Sequence, residues 1–315
     1  MVLVVIALLL FGAVFYGAKY LEERRFGFLE AAASRPVEYN GKTYLPNNDI
    51  VAFLLIGVDS IGEMQSSGYF RNDSLADFIC LIAFDTKSGS STIIHINRDT
   101  MTDITILGMN DREVGETRAQ IALSYSYGDG GESSCRNTKK AVSELLGDLN
   151  ISYYLSMTMD AVPILNDAVG GVEVLVEDDF SAVDPTLQQG QRVTLRGDQA
   201  LTFIRSRHHV GEMTNLSRMS RQVEYMQNFY LRFKKAIQNN PQFLVSSFKD
   251  ISPYIVTNCS DRALSYISKK IGNSELKEVV SLPGEAVLGD TYMEYHLDQE
   301  QLQELILRIF YKEKR

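Results

Sequence analysis

The chain has 315 residues, of which 45% are hydrophobic and 23% charged; this is enough apolar material for one large domain or two ordinary ones, and it excludes a disordered chain. The net charge of −9 argues against the broad basic surface that grips nucleic acid, while a local basic pocket in an acidic body still suits a small anionic head group. His95, His208, His209 and His296 fall at no zinc-ligand spacing and no G-x-S-x-G elbow occurs, which disfavours zinc and serine hydrolysis.

From Met1 to Ala18 there is no charged residue. A helix of that length, at about 1.5 Å per residue, reaches about 27 Å, close to the hydrocarbon thickness of a bilayer. Neither a basic start nor a small-x-small site marks it for cleavage. The expectation is a single-pass anchor over 1–19, a polar linker over 20–48, a core domain over 49–240 and a C-terminal part, 241–315, packing on the same domain. Lys19, Arg24 and Arg25 follow the span and bias the body toward the cytoplasm; the interleaved Glu22 and Glu23 blunt that bias, so composition leaves the side open.

Ile50 to Val58 is a continuous apolar run, as in a strand buried on both faces, with Asp59 at its carboxyl end, where open α/β sheets bind ligands. In YFRNDSLADFICLIAFDT, Arg71 and Asp73 precede a second strand, Asp77 to Asp85. Gly89 turns the chain into STIIHINRDT, a third strand ending in Arg98 and Asp99. Acids or Arg–Asp pairs recur at all three strands, which favours a shared site over isolated surface ion pairs. Residues 113–127 read as a helix, YGDGG as a helix-terminating turn and SSCRNTKKAVSELLGDL as a second helix. Cys80 reads as a buried small hydrophobe, and Cys135 and Cys259 could pair in an oxidising compartment. A strand at 151–159, a helix at 160–171 and a strand at 172–179 follow. The alternation predicts an α/β sandwich.

Leu195 to Gln222 then sets Arg205, Arg207, Arg218 and Arg221 into this acidic chain. Arginine presents a fixed fork of donors that matches two phosphate oxygens at once, so repeated arginine without lysine suggests a phosphorylated ligand. A helix from Leu216 to about Gln238 would put Arg218, Arg221, Gln222 and Tyr225 on one face and Met219, Val223, Met226, Phe233 and Ile237 on the other. Arg205 and Arg207 point the same way if the chain there is extended. Helices near 241–250 and 260–271, a strand at KEVVSLPG and a helix at Asp298 to Lys312 close the chain. Asp59 and Asp73 could hold one Mg²⁺, which takes a couple of carboxylates plus substrate phosphate oxygens; a glycosidase would also want two carboxylates but has little use for several arginines.

These residues resemble the LytR-CpsA-Psr family of membrane-anchored cell-envelope phosphotransferases. IGVDS, FRNDSLADFICLIAFD, HINRDTMTDI, YSYGDGG, NDAVGGVEV, GDQALTFIRSR and SRMSRQ appear in the family's order over about Ile50 to Tyr230. The resemblance implies a mixed central sheet flanked by helices (an α/β/α sandwich) behind one transmembrane helix, with the body on the extracytoplasmic side of the cell membrane. It implies Asp59 and Asp73 beside Mg²⁺ (Mn²⁺ being the alternative), Arg71, Arg98, Arg205, Arg207, Arg218 and Gln222 around a pyrophosphate, and Arg98 and Asp99 as the catalytic pair. The implied reaction moves a glycan phosphate from an undecaprenyl-pyrophosphate-linked wall polymer, of teichoic acid or capsule type, onto peptidoglycan. A non-catalytic polyprenyl-phosphate-binding or regulatory envelope protein is the alternative, and a pyrophosphatase acting on water a third. Two positions depart from the family: Asn97 stands where Pro precedes the Arg–Asp pair, and Asn215 where an Asp lies three residues before the helix arginine. An amide brings no negative charge, so metal binding or proton abstraction there should be weaker. Residues 113–146 and 217–238, packed against the sheet, are the expected walls for the lipid.

Overall fold

The computed structural model describes residues 30–68, 72–211, 215–240, 242–260 and 273–314. The anchor expected over 1–19, Arg71 and all but the first residue of the helix expected at 260–271 lie outside them. Within the expected linker, β1 (Val37–Tyr39) and β2 (Lys42–Pro46) form a hairpin, and Ala32 and Ala33 are 0% and 2% exposed. The segment from about residue 30 is therefore part of the body. Its polar, proline-bearing composition hides short strands whose further partner lies at the far end of the chain.

β3 (Ile50–Val58), β4 (Ala76–Asp85) and β5 (Ser90–Ile96) follow as expected. The helix expected over 113–127 is instead strand β7 (Glu113–Gln120), paired antiparallel with β6 (Met101–Leu107), and a short helix, Leu123–Ser126. Val114 and Thr117 are β-branched and Gly115 weakens a helix, and the neighbouring strand supplies a partner that a mostly polar stretch does not announce. YGDGG ends that short helix and opens the next, Glu132–Leu145. A Cβ at Gly128 would sit 2.5 Å from Ser134 N, so the turn needs glycine there.

Next come β8 (Tyr153–Met157), the helix Ala161–Ala168, and the antiparallel pair β9 (Val172–Leu175) and β10 (Arg192–Leu195). Helix Asp198–Arg205 takes up the stretch expected to be extended at Arg205. The long helix Asn215–Asn239, helix Phe243–Ile251, β11 (Ile255–Thr257), β12 (Glu275–Ser281), β13 (Gly284–Leu288), β14 (Met293–Leu297), helix Gln299–Phe310 and β15 (Tyr311–Glu313) complete the described chain.

The central sheet has the order β11-β8-β3-β4-β5-β12. It is mixed: β3 pairs parallel with β8 and β5 with β12, whereas the β3–β4, β4–β5 and β8–β11 pairs are antiparallel. The chain beyond residue 241 thus supplies both edge strands. One sheet face, with Leu54, Ile56 and Leu81 at 0% exposure, packs against the helices Leu123–Ser126, Glu132–Leu145 and Gln299–Phe310. Burying each such side chain contributes about 1.5–3 kcal/mol. The other face, through Leu55, Phe78 and Cys80, meets Met226 and Tyr230 of the long helix.

Candidate active site

The strand directions place the chemistry. β3 and β5 run the same way with β4 antiparallel between them, so the carboxyl ends of β3 and β5 meet the amino end of β4 at one edge of the sheet. Asp59 follows β3, Asp77 is the second residue of β4, and Arg98 and Asp99 follow β5. The β4–β5 register pairs Ile79 with Ile96, which brings Asp77 opposite Arg98 two residues further on. Those two side chains form an ion pair, and Arg98 Nε also lies 3.4 Å from Asp99 Oδ1. From the first turns of the long helix, Arg218 Nη1 comes within 3.7 Å of Asp77 Oδ2. One carboxylate therefore sits between two guanidinium groups. Among the described residues the buried Nε atoms of Arg98 and Arg218 have no hydrogen-bond partner, donors available to an anion that is not part of the chain.

Burial pushes the carboxyls of Asp59 and Asp99 up from the ordinary carboxylate range; Asp59 is opposed by the Leu75 amide, and Asp99 by Arg98, Arg218 and Arg207. Leu75 N donates to Asp59 Oδ1 at 2.6 Å. Burial lowers the Arg218 guanidinium, Asp77 partly countering it. Beneath Arg218, burial and then the Arg218 charge bring His95 down to about 4, so its ring is neutral at physiological pH.

The two departures noted in the sequence touch each other. Asn215 Nδ2 donates to Asn97 Oδ1 at 2.7 Å and to Asp99 Oδ2 at 2.9 Å, while Asn215 Oδ1 accepts from Arg218 Nη2 at 2.6 Å. Asn97 Oδ1 also accepts from the Asp99 backbone N at 2.9 Å. Gln120 Nε2 donates to Asp99 Oδ1 at 3.0 Å. The amide at 215 thus bridges an acceptor and a donor, a task a carboxylate cannot perform, and Asp99 is held by amides on both oxygens.

Between the second sheet face and the helices Asn215–Asn239 and Phe243–Ile251 lies an apolar cavity of about 380 Å³. Phe53, Leu55, Phe78, Met226, Phe229 and Phe248 wall it, and Asp77, Arg205, Arg218 and Gln222 stand where it meets the strand-end cluster. The long helix is a wall, as expected; residues 113–146 are not, because they cover the opposite sheet face. The arginine-bearing helix face is buried rather than solvated, with Arg218, Arg221 and Gln222 6%, 5% and 8% exposed.

Of the residues singled out in the sequence, Asp59, Arg98, Asp99 and Arg218 form the cluster. Gln222 and Arg205 border the cavity, and Gln222 Nε2 donates to Ile204 O at 3.2 Å. Arg207 is exposed, yet its charge reaches Asp99 and Arg218. Asp73 is exposed and has no ion pair among the described residues. Arg221 turns away: it pairs with Asp178, donates to Phe203 O at 3.0 Å and to Ser206 O, and lies 5.4 Å over the Phe180 ring, bracing the end of the helix that carries Arg205 and the turn that leads to Arg207. Asp77 is the residue the sequence reading passed over, although the tight turn at Gly89 fixes its register with Arg98. Cys80 is buried, and burial pushes its thiol up to about 12. Cys135 and Cys259 are free thiols, and Cys135 Sγ donates to Ser156 Oγ at 3.1 Å instead of forming a disulfide.

Among the described residues no group of three or more His, Cys, Asp or Glu side chains is arranged to hold a metal ion. The oxygen donors present still suit a hard cation completed by substrate phosphate: Asp59 has one oxygen bound to the Leu75 amide, and the charge of Asp77 acts on it.

The model of the LytR_cpsA_psr family matches residues 28–309. The chain belongs to this family. It is similar to the polyisoprenyl-teichoic acid–peptidoglycan teichoic acid transferase TagU of Bacillus mycoides (strain KBAB4), 29% identical over 76% of this chain and 71% of that protein. The TagU of Bacillus cereus (strain AH820) is 30% identical over 56% of this chain and 50% of its own length. The fold is that of a solved Streptococcus agalactiae protein (TM-score 0.65, 23% identity, 83% of this chain and 86% of that one) and of TagT bound to LIIa-WTA (TM-score 0.61, 21% identity, 89% and 95%). The family's mixed α/β fold, expected from the sequence, is the one observed.

Proposed function

We propose that this chain is a transferase that moves a glycan phosphate from a polyprenyl-pyrophosphate-linked wall polymer onto peptidoglycan. The observation that carries the reading is the apolar cavity ending in Arg205, Arg218, Gln222 and the Asp77–Arg98 pair. Such a cleft offers a greasy stem to an isoprenoid chain and a fork of guanidinium donors to the phosphates at its head. The activity in the name of the Bacillus mycoides relative supports the same reading.

In the proposed step a peptidoglycan hydroxyl oxygen forms a bond to the glycan-bearing phosphorus. The bridging P–O bond breaks, its electron pair leaves on the polyprenyl phosphate, and the hydroxyl proton passes to solvent. Arg98 and Arg218, freed from Asp77 by the incoming phosphates, would neutralise charge on the leaving phosphate, worth on the order of 10²-fold or more in rate for one well-placed donor. Asp99, fixed by Gln120 and Asn215, would hold Arg98 in place. Asp59 and Asp73 would hold Mg²⁺ (or Mn²⁺), which when bound neutralises pyrophosphate oxygens; the carboxylate oxygens of Asp59 in the strand-end cluster support its part of this assignment. The uncharged run Met1 to Ala18 and the lipid nature of the donor support a single membrane span with the body outside the cytoplasm. Among the described residues no helix is long and apolar enough to cross a membrane.

The test is incubation of the full chain with a lipid-pyrophosphate glycan and peptidoglycan, reading released polyprenyl phosphate with Mg²⁺ and with EDTA. Metal-dependent release coupled to glycan on peptidoglycan, abolished by Arg98→Ala, is expected. Binding of the lipid without release would favour the non-catalytic alternative, and release without acceptor a pyrophosphatase.

A further inference from the structure

A second cavity, polar and again of about 380 Å³, opens beside Asp59. Val58 borders both cavities, and Ser60 and Ser74, which flank Asp59 and the Leu75 amide bound to it, line the polar one. The two lie against opposite faces of the sheet. Met64 and Tyr125, at the polar cavity, belong to the core under the Glu132–Leu145 helix, whereas Leu55 and Met226, in the apolar one, belong to the cluster under the long helix.

The segment lining the polar cavity is a loop, but it is pinned. Thr158 Oγ1 donates to Gly62 O at 2.9 Å, Met159 N to Ser60 O at 3.0 Å, Met64 N to Pro253 O at 2.8 Å, and Ser67 N to Asp129 O at 2.7 Å. Its shape is thus set before any ligand arrives. Within it the side chains of Ser60, Glu63, Gln65 and Ser74 make no hydrogen bond among the described residues, and Ile61 is 74% exposed at the rim. Two hydroxyls, an amide and a carboxylate beside an apolar patch form a donor and acceptor set matched to a sugar's hydroxyls and its C–H face, not to a phosphate, which a carboxylate would repel.

We infer that this polar cavity is the subsite for the acceptor glycan, with Glu63 and Gln65 as its hydroxyl-binding residues; the inference rests on the transfer reading above. In-line displacement at phosphorus needs the attacking and leaving oxygens on opposite sides. A lipid leaving group in the apolar cavity and a glycan hydroxyl entering from the polar one meet that need, with the strand-end cluster between them.

The experiment uses the full chain, uncross-linked peptidoglycan glycan strands as the probe, and the double variant Glu63→Gln with Gln65→Ala, both at exposed positions whose side chains make no hydrogen bond among the described residues. Two hydrogen bonds to a sugar, one charge-assisted, correspond to about a tenfold or larger change in affinity. The double variant should therefore raise the acceptor concentration at half-maximal transfer by about that factor relative to the donor's. Calorimetric binding of the same strands without donor should weaken equally. Unchanged acceptor half-saturation, a parallel rise for donor and acceptor, or no strand binding by the unsubstituted chain would overturn the inference. A chain that releases no polyprenyl phosphate yet binds strands through these two residues would overturn the transfer reading instead and leave this one standing.

Discussion

The amide at position 215 can be tested by giving it the charge the family pattern expects. In N215D the two hydrogen bonds donated to Asn97 Oδ1 (2.7 Å) and Asp99 Oδ2 (2.9 Å) are lost; a neutral one is worth about 1 kcal/mol and one to a charged partner about 1.5–3. The new carboxylate also faces that of Asp99. Two like charges about 4 Å apart at an effective dielectric of about 20 repel by about 4 kcal/mol, which a stronger pairing with Arg218, now 2.6 Å away, offsets by a similar amount. The net expectation is a loss of about 2–4 kcal/mol near neutral pH, from the missing donors. Repulsion also drives the Asp99 carboxyl, already raised by burial, further up. A carboxyl whose folded-state pKa exceeds its unfolded value penalises folding above the folded pKa, and the penalty disappears as acid protonates it. The deficit of N215D should therefore shrink from about pH 7 toward about pH 4, and by more than that of N215A, which loses the donor to Asp99 but adds no charge. The chain has no tryptophan, so urea unfolding followed by far-ultraviolet circular dichroism is the suitable assay. N215D matching the unsubstituted chain at neutral pH, or a deficit that acid does not relieve, would refute the assignment of the amide as bridge between Asp99 and Arg218.

Three further outcomes are expected. Arg218→Ala should cut transfer about 10²–10³-fold in steady-state release of polyprenyl phosphate, as loss of one preorganised charge donor does, whereas a surface role would cost almost nothing. Arg221→Ala takes the ion pair from Asp178, leaving it the Ser217 hydroxyl, and the guanidinium donors from the Phe203 and Ser206 carbonyls, so denaturant unfolding should show a loss of about 3 kcal/mol. His95, lowered to about 4 in the folded chain, binds its proton more readily when unfolded, so stability should rise with pH from about 4 to about 6.5 and His95→Phe should flatten that window; an identical pH profile for the variant would contradict the burial of a neutral ring.

Much of the fold could be read from residue pattern, and for physical reasons. Ile50–Val58, Ala76–Asp85 and Ser90–Ile96 are continuous apolar runs with a glycine turn between the last two, which leaves little choice but central strands. The long helix declared itself by spacing, and its arginines by type. The hairpin Met101–Gln120 did not, because its mostly exposed second strand buries so little that no period marks it. The strands Val37–Pro46 stayed hidden because they are short and polar and the second partner of β2, β15, lies near the other end of the chain. At the site, Asp59, Arg98, Asp99 and Arg218 were legible as strand-end and helix-face residues. Asp77 was masked by the apolar run it begins, and the contact between Asn97 and Asn215 joins positions too distant in the chain for either to signal the other. Asp73 stood out by motif, yet the fold leaves it exposed, since motif says nothing of which way a loop carboxylate turns.

The small sheet β1-β2-β15 joins the two extremities of the body. Tyr311, Lys312 and Glu313 pair with Pro46, Leu45 and Tyr44, so β2, which carries β1 on its other edge, depends on residues near the far end of the domain. A pull entering through residue 30 is shared with the last turn of the chain, and a clipped tail would leave β2 with an open edge next to the entry point. Proteolytic trimming at the carboxyl end would therefore weaken the body at its opposite terminus and offer β2 to strand addition by another chain.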